Sequence, residues 1–249
     1  MADAPQRLLL LDYDGTLAPF HVDPNAAEPY TGVRERLDDI MSDPRSHVVI
    51  VSGRAARELP PLLRLKRVPE IWGSDGWEHL QADGSYRNGP LDPSALRRLI
   101  KASDWMEQIR GYGGRCEVKP NGVTVHWRGC SPNQIADIRT ILFDCWKTQH
   151  LHKHLQWRDF DGGVGLRVPG RDKGHAVAAV LHKFPGAVAA YLGDDAADED
   201  AFAAINGRGL SVLVRAQRRP TTAQVWLRPP GQLVDFLGRW HAPGTGAMN

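Results

Sequence analysis

The chain has 249 residues, of which 42% are hydrophobic and 24% are charged, and its formal net charge is +2. This composition is ordinary for one large or two small globular domains, and the scattered basic residues do not indicate binding to nucleic acid. Because the sequence contains no run of about 18 apolar residues, a membrane span is not predicted. Three cysteines without metal-ligand spacing, and a first segment without signal-peptide features, predict a cytoplasmic protein with reduced thiols.

The first apolar run ends in two carboxylates. Four consecutive leucines lead into Asp12 and Asp14, and Gly15 and Thr16 follow. Such a run before a glycine turn is typical of a buried strand in a parallel sheet, whose carboxyl end is where open α/β sheets bind ligands. If the backbone stays extended, the period of two places Asp12 and Asp14 on one side of the strand. Close carboxylates repel, so this pattern favours a bound cation such as Mg²⁺ over the alternative of two solvated acids.

The second apolar run also leads into polar residues. Residues 31–41 have apolar side chains at spacings of three and four, which predicts a helix, and residues 47–51 predict a second buried strand beside the first. This strand runs into Ser52, Gly53 and Arg54. A hydroxyl, a glycine N–H and a guanidinium are suitable groups for binding phosphate, and an ordinary Ser-Gly turn is the alternative.

The segment 88–169 is predicted to be an inserted cap domain, and the flanking segments 1–87 and 170–249 are predicted to form the core. A short strand with a glycine-rich end at 70–78 and a hairpin at 80–86 precede the insertion. Inside it, the order of helix, two strands, helix and two strands is typical of an α+β layer. The predicted elements are helix 92–109, a hairpin at 115–128 centred on Asn121-Gly122, helix 131–150, and strands 155–160 and 164–168.

After the insertion, a third strand is predicted to end in acids. Lys173 precedes the helix 175–184, where the positive end of the helix dipole disfavours a lysine unless an anion lies nearby. Residues 187–192 predict a buried strand that leads to Asp194 and Asp195, and a solvated acidic helix start is the alternative. The remaining predictions are strand 210–214, helix 232–240 and a disordered tail at 242–249.

In chain order, the predicted strand and helix ends carry Asp-x-Asp, Ser, Lys and Gly-Asp-Asp, a combination that resembles the haloacid dehalogenase superfamily. The resemblance implies an α/β fold with a Rossmann-like core of parallel strands and an inserted smaller α/β cap. It also implies that Asp12 is the nucleophile that forms an aspartyl-phosphate. Asp14 would be the general acid for the leaving alcohol and then the base for the attacking water.

The same resemblance implies a magnesium cofactor. The ligands would be the side chains of Asp12 and Asp194 together with the main-chain carbonyl of Asp14. Asp195 and Asp198 would orient the water molecules bound to the metal.

A set of phosphate-binding residues follows from the resemblance and from the residue types. Ser52 and Lys173 would hold the phosphoryl oxygens and neutralise developing charge. Thr16, Gly53 and Arg54 complete the predicted phosphate-binding set.

Several segments are similar to one family within the superfamily, the trehalose-6-phosphate phosphatases. These segments are Asp12–Leu17, Ser52–Arg54, Glu117-x-Lys119, His126–Arg128 and Gly193–Glu199. The similarity implies hydrolysis of trehalose 6-phosphate, with Glu117 and Lys119 binding hydroxyls of the distal glucose. The expected partner is a small-molecule sugar phosphate rather than nucleic acid or a membrane, and the expected oligomeric state is a monomer.

Three positions depart from the family pattern. Asp75 replaces a usual histidine, Ala197 replaces a usual threonine, and Gly165 aligns with a usual glutamate. The loss of a carboxylate at Gly165 would remove a partner for a sugar hydroxyl, while the phosphatase residues are intact. Two alternatives therefore stay open, namely a phosphatase for another glycosyl phosphate, such as glucosylglycerol phosphate or sucrose phosphate, and a catalytically weak protein that binds sugar phosphates.

Overall fold

The computed structural model describes residues 6–90, 105–148, 150–153 and 155–241, without the side chain of His152. Contacts divide the chain into two units, Met1–Arg87 with Asp172–Asn249, and Asn88–Arg171. In the described part of the chain, no helix combines the length and apolar character needed to cross a bilayer.

The described residues form twelve named strands and seven α-helices. The strands are β1 (Arg7–Leu11), β2 (Ser46–Val51), β3 (Glu70–Gly73), β4 (Glu78–Leu80), β5 (Tyr86–Asn88), β6 (Arg115–Lys119), β7 (Gly122–His126), β8 (Gln156–Phe160), β9 (Gly163–Arg167), β10 (Val188–Gly193), β11 (Gly209–Val214) and β12 (Val225–Leu227). The helices are α1 (Val33–Ser42), α2 (Leu59–Leu63), α3 (Met106–Gly111), α4 (Pro132–Thr148), α5 (Lys173–Lys183), α6 (Glu199–Ile205) and α7 (Gly231–His241).

The larger unit is built on an eight-stranded sheet in the order β12-β11-β10-β1-β2-β3-β4-β5. In this order, each strand from β12 through β3 pairs in parallel with the next, and β4 pairs antiparallel with β3. The central strand β1 is buried on both faces. Leu9 and Leu11 belong to a core cluster that includes α1 and α7, whereas Leu8 and Leu10 belong to one that includes α5 and α6. This double coverage explains why the strand has a continuous apolar run rather than an alternating pattern.

The predicted fold class, α/β with a mostly parallel sheet, is confirmed, and β2 lies beside β1 as expected. Parallel pairing brings the carboxyl ends of β1, β2 and β10 to one edge, because Leu11 is aligned with both Ile50 and Leu192. The sequence analysis did not predict β12, whose three residues are too few to give a clear periodic pattern.

The smaller unit contains a four-stranded antiparallel sheet in the order β6-β7-β9-β8, and apolar side chains of this sheet pack with α3 and α4. The hairpin turn differs from the prediction. Lys119 pairs with Gly122, so the turn is Pro120-Asn121 rather than Asn121-Gly122. Gly122 lies within β7, where an added Cβ would come within 2.4 Å of the Leu166 carbonyl oxygen, so close strand packing requires glycine here.

The following two predictions lie partly or wholly outside the described residues. The predicted helix 92–109 is described only from residue 105, where α3 follows at Met106–Gly111. The predicted disordered tail at 242–249 lies wholly outside.

Candidate active site

Three of the predicted acids, Asp12, Asp194 and Asp198, form a buried cluster at the carboxyl edge of the parallel sheet. Asp12 directly follows β1 and Asp194 directly follows β10, and the two residues are 4% and 1% exposed. Asp12, Asp194 and Asp198 each offer a carboxylate oxygen, and these three oxygens lie within 4.8 Å of one another. The two strand ends are held together by a 2.9 Å hydrogen bond from the Asp12 N–H to the Leu192 carbonyl. The sequence prediction that Asp12 and Asp194 share one edge therefore agrees with the geometry.

Lys173, the first residue of α5, supplies positive charge to this cluster. Its Nζ lies 2.8 Å from Asp12 Oδ1 and 2.8 Å from Asp198 Oδ1, and the residue is buried. Burial alone would lower the pKa of Lys173, but the carboxylates of Asp12 and Asp198 raise it well above its usual value. The lysine is therefore charged, and these two carboxylates explain why it is tolerated at the positive end of a helix.

One buried lysine, with the partly exposed Arg215 at 3.6 Å from Asp194 Oδ2, does not balance three buried carboxylates. Burial raises the pKa of Asp12 to about 7 against the opposing effect of Lys173, and burial together with the charge of Asp12 raises the pKa of Asp194. Asp194 Oδ1 and Thr16 Oγ1 are buried side-chain oxygens without a hydrogen-bond partner. Carboxylate oxygens of this kind are the ligands that hard divalent cations prefer, so the residues present fit a bound metal.

Asp198 organises the loop after β10. Its Oδ1 accepts hydrogen bonds from the Tyr191 hydroxyl at 2.6 Å and from Lys173 Nζ at 2.8 Å. Its Oδ2 accepts from the N–H groups of Asp194 at 2.9 Å and Asp195 at 3.0 Å. Since both oxygens already accept two hydrogen bonds, Asp198 is better suited to fixing the loop than to binding a metal directly.

Asp195 and Gly15 also lie beside Asp194. The Asp195 carboxylate accepts a 2.7 Å hydrogen bond from the Ala196 N–H and caps the short 3₁₀ turn that follows. Gly15 has a φ of +85°, and an added Cβ would lie 2.2 Å from Asp194 Oδ2. The glycine of the first motif therefore allows both a left-handed turn and close approach to an acid of the cluster.

Asp14 pairs with Arg54 in a bidentate geometry. Arg54 Nε donates to Asp14 Oδ2 and Arg54 Nη2 donates to Asp14 Oδ1, both at 2.6 Å. The Arg54 side chain is 10% exposed and the Asp14 side chain 27%. The sequence analysis assigned Arg54 to phosphate, whereas here the planar guanidinium fixes the orientation of the predicted general acid.

The Ser52 loop is supported by the neighbouring segment that contains Asp75. The Ser52 carbonyl accepts from the Asp75 N–H at 3.0 Å, and the Arg54 carbonyl accepts from the Ser74 N–H at 2.7 Å. Ser74 and Asp75 have positive φ values of 47° and 55°, a strained conformation often found at functional sites. A Cβ on Gly53 would lie 3.5 Å from Asp75 Oδ1. The departure from the family pattern at Asp75 therefore places a carboxylate beside the predicted phosphate-binding loop.

In the smaller unit, the predicted sugar-binding residues share one sheet face. Glu117, Thr124 and Gly165 are aligned across β6, β7 and β9. Glu117 Oε2 lies 3.2 Å from His126 Nε2 and 3.7 Å from Lys119 Nζ. Although burial opposes the effect, His126 and Lys119 lower the pKa of Glu117 to about 2, so this residue is a carboxylate at neutral pH.

Gly165 tolerates a Cβ on that face. The nearest atoms to an added Cβ belong to the Arg167 side chain, at an ordinary contact distance of 3.5 Å. The glycine is therefore not required by packing.

The sequence motifs include Glu199 without a role for it, and they include neither Tyr191 nor Arg219. Tyr191 had a detectable signal, because a buried tyrosine in an aliphatic strand needs a hydrogen-bond partner for its hydroxyl. Glu199 and Arg219 form an ion pair at 2.5 Å beside the Asp194 loop. No local pattern could have linked these two residues, which are 20 positions apart.

Comparison with solved structures defines the class of the fold. The chain is similar to the C-terminal domain of the C. albicans trehalose-6-phosphate phosphatase, with a TM-score of 0.77, 23% identity, and coverage of 96% of this chain and 93% of that one. A haloacid dehalogenase-like hydrolase from Bacteroides thetaiotaomicron matches with a TM-score of 0.65, 15% identity, and coverage of 94% and 99%. The chain therefore shares the fold of these two structures, the second of which is a haloacid dehalogenase-like hydrolase.

Sequence comparison then identifies the family. The sequence model described as Trehalose-phosphatase matches residues 10–229, and the chain belongs to this family, which confirms the resemblance noted above. Trehalose-phosphate phosphatases of Mycobacterium marinum and Mycobacterium ulcerans are 30% and 28% identical to it, and each alignment covers 94% of this chain. The chain spans 61% of the length of these relatives.

Proposed function

We propose that the protein is a Mg²⁺-dependent phosphatase that hydrolyses trehalose 6-phosphate to trehalose and phosphate through an aspartyl-phosphate on Asp12. The observation that carries this proposal is the buried Asp12 carboxylate, which lies at the end of β1 between the ammonium group of Lys173 and the carboxylate of Asp194. Family membership supports the substrate class, since the relatives named above are trehalose-phosphate phosphatases.

The acids at the carboxyl edge would hold the metal. Its ligands would be the side chains of Asp12 and Asp194 and the main-chain carbonyl of Asp14, while Asp195 and Asp198 would orient its water molecules. When bound, Mg²⁺ supplies positive charge that polarises the phosphoryl group and offsets the repulsion between the carboxylates and phosphate.

The chemistry proceeds in two displacements. An Asp12 carboxylate oxygen attacks phosphorus, and the bond between phosphorus and the sugar oxygen breaks while Asp14 donates a proton to that oxygen. A water molecule then attacks the acyl phosphate as Asp14 accepts its proton, which releases phosphate and regenerates Asp12. Throughout, Lys173 holds the nucleophile through its 2.8 Å contact with Asp12 Oδ1.

Hydroxyl and N–H groups near the cluster would bind the phosphoryl oxygens. Thr16 Oγ1 is buried without a partner, and Ser52 lies at the carboxyl end of β2. The N–H of Gly53 is adjacent to Ser52 in the same loop. Together with Lys173, these donors match a group whose charge is spread over three oxygens.

Arg54 provides a test of how Asp14 is positioned. If Arg54 acts through Asp14, we expect Arg54→Gln to lower kcat by about 10- to 100-fold for sugar phosphates, whose leaving alkoxide needs a proton. For p-nitrophenyl phosphate, whose leaving group departs without a proton, we expect a clearly smaller loss, because Asp14 is then needed only as the base for the attacking water. Steady-state assays with both substrates measure the difference. An equal loss of kcat for the two esters would instead indicate that Arg54 binds the phosphate group.

Glu117 and Lys119 are proposed to bind sugar hydroxyls. A carboxylate accepts hydrogen bonds from hydroxyl groups more strongly than an amide does, so we expect Glu117→Gln to lower kcat/KM for trehalose 6-phosphate by about 10-fold or more, mainly through KM. The matched control is Glu107→Gln, because the side chain of Glu107 is 81% exposed. Turnover of p-nitrophenyl phosphate should be unchanged in both variants, and an equal loss on this substrate would exclude a role confined to the sugar.

A second candidate is a phosphatase for another glycosyl phosphate, and Gly165 is the observation that favours it. The position paired with Thr124 lacks a carboxylate, although a Cβ added there would make only contacts of ordinary length. Phosphate release from trehalose 6-phosphate, glucose 6-phosphate, sucrose 6-phosphate and glucosylglycerol phosphate, each with Mg²⁺, decides between the two candidates. Preference for the first ester supports the proposal, and preference for another supports the second candidate. Tight binding without release from any of them would indicate a protein that only binds sugar phosphates.

We also propose that the protein is a cytoplasmic monomer, as the sequence analysis expects. The three cysteines are free thiols in the structure, which agrees with a reducing compartment. Sedimentation equilibrium tests the monomeric state.

A further inference from the structure

An arginine from a different loop contacts the main chain beside Asp194. Arg219 lies between β11 and β12, and its side chain is 19% exposed. Its Nε donates to the Asp194 carbonyl at 3.1 Å, and its Nη2 donates to the Asp195 carbonyl at 2.6 Å. One planar guanidinium therefore holds two successive carbonyl groups of the loop after β10.

Arg219 is itself held in place by Glu199, the first residue of α6. Glu199 Oε1 lies 2.5 Å from Arg219 Nη1 and accepts a 2.8 Å hydrogen bond from the Thr221 hydroxyl. Glu199 Oε2 accepts from the Thr222 N–H at 2.8 Å and from its hydroxyl at 2.7 Å. Glu199 directly follows Asp198 in the chain. Its contacts therefore join the loop that contains Arg219 to the loop that contains Asp194 and Asp195.

The main chain at Asp194 and Asp195 is thus restrained at its N–H groups and at its carbonyl groups. Asp198 accepts hydrogen bonds from the N–H groups of Asp194 and Asp195, and Arg219 donates to the carbonyl groups of the same two residues. The Asp194 carboxylate has few restraints of its own. Its Oδ1 is buried without a hydrogen-bond partner, and its Oδ2 has an ion pair with Arg215 at the longer distance of 3.6 Å. The direction of this carboxylate therefore depends mainly on the main chain that carries it.

We propose that Arg219, anchored by Glu199, is a positioning residue that orients the Asp194 carboxylate for binding the divalent cation. The inference rests on the proposed function, which makes Asp194 a metal ligand. Loss of the guanidinium would remove the two hydrogen bonds from Arg219 to the Asp194 and Asp195 carbonyls and leave the longer 3.4 Å hydrogen bond from Arg215 Nη1 to the Asp194 carbonyl. The carboxylate would then spend less time in the orientation that binds metal. Metal affinity should fall, whereas the chemical step at saturating metal should be nearly unchanged.

The test compares Arg219→Gln and Arg219→Lys with the matched control Arg218→Gln. Arg218 is the adjacent arginine and is exposed. Isothermal titration calorimetry of the full chain with Mg²⁺ alone gives the dissociation constant without any dependence on turnover. Residues that orient metal ligands typically contribute 10- to 100-fold to affinity, so we expect a weakening of about 10-fold or more in Arg219→Gln. We expect a smaller weakening in Arg219→Lys, whose ammonium group cannot donate to both carbonyls in the same planar geometry.

Phosphate release as a function of Mg²⁺ concentration provides the second readout. We expect Arg219→Gln to need about 10-fold more Mg²⁺ for half-maximal rate, with kcat at saturation within about three-fold of the wild type. The Arg218→Gln variant should match the wild type in both measurements. An unchanged dissociation constant in folded Arg219→Gln, or a loss of kcat at unchanged Mg²⁺ affinity, would overturn the proposal.

Two further measurements keep the test decisive. If Arg219→Gln does not fold, Glu199→Gln retains the arginine but removes its anchoring charge, and it should weaken Mg²⁺ binding in the same direction; unchanged affinity would overturn the proposal. A wild-type protein that binds no Mg²⁺ would overturn both this inference and the proposed function. A wild-type protein that binds Mg²⁺ but hydrolyses no sugar phosphate would overturn the proposed function alone, and the calorimetry would still decide the role of Arg219.

Discussion

Replacement of Asp12 with Asn is expected to lower phosphate release by about 10,000-fold or more, because an amide cannot act as the carboxylate nucleophile. The substitution conserves the shape of a fully buried side chain, and Lys173 keeps its 2.8 Å contact with Asp198. The fold and the binding of sugar phosphate should therefore persist. Steady-state phosphate release, circular dichroism and calorimetric titration with trehalose 6-phosphate measure these three properties.

Asp235→Asn is the matched control for this variant. Asp235 is exposed on α7, so the same chemical change at that position should leave turnover within about two-fold of the wild type. Retention of more than about one tenth of the wild-type rate in Asp12→Asn would refute the assignment of Asp12 as the nucleophile.

Replacement of Gly15 with Ala is expected to abolish metal binding as well as activity. The new methyl group would lie 2.2 Å from Asp194 Oδ2 and 2.4 Å from its Cγ, so the carboxylate must move away from the cluster. Displacement of a ligand by this much should weaken Mg²⁺ binding by about 100-fold or more, on the scale seen for residues that orient metal ligands. Titration calorimetry with Mg²⁺ and phosphate release at increasing Mg²⁺ measure the effect.

Gly84→Ala separates this clash from backbone strain. Gly84 has a φ of +86°, nearly the same as the +85° of Gly15, but no atom lies within 4 Å of its added Cβ. Both variants should therefore lose a similar stability of about 1–2 kcal/mol from the left-handed backbone, while only Gly15→Ala loses the metal. Equal Mg²⁺ affinities in the two variants would mean that the close approach between Gly15 and Asp194 has no functional importance.

The sequence predicted the strands that carry the site because their patterns are local. A run of leucines that is buried on both faces by two layers of helices has no polar alternation, and the first polar residue after such a run marks the strand end. Parallel pairing then requires that Asp12, Ser52 and Asp194 meet at one edge. The expected position of these three residues follows from strand order alone and agrees with the structure.

The partners of these side chains were not predictable in the same way. The pairing of Asp14 with Arg54 joins residues 40 positions apart, and the contact of Lys173 with Asp12 depends on how α5 packs against the sheet. Arg219 lies in a loop with several basic residues, and its sequence does not distinguish it from the exposed Arg218. Only the folded chain shows which of two adjacent arginines contacts the Asp194 loop.

Gly122 and Gly15 have different structural roles, which the sequence alone does not distinguish. The Asn121-Gly122 pair suggested a hairpin turn, yet Gly122 is needed for the close approach of β9. Gly15 was correctly interpreted as a turn residue, but the space that it leaves for Asp194 depends on a strand that comes more than 170 residues later. Such steric constraints become visible only in three dimensions.

Trapping of the acyl phosphate shows directly whether Asp12 is the nucleophile. Wild-type protein is mixed with trehalose 6-phosphate and Mg²⁺, quenched with acid, and reduced with borohydride, which converts an aspartyl-phosphate to homoserine. Mass spectrometry of the peptide that contains Asp12 then locates the modification. We expect homoserine at position 12, dependent on both substrate and Mg²⁺ and absent from Asp12→Asn. Turnover without modification at position 12, or with modification at Asp14 or Asp194 instead, would contradict this expectation.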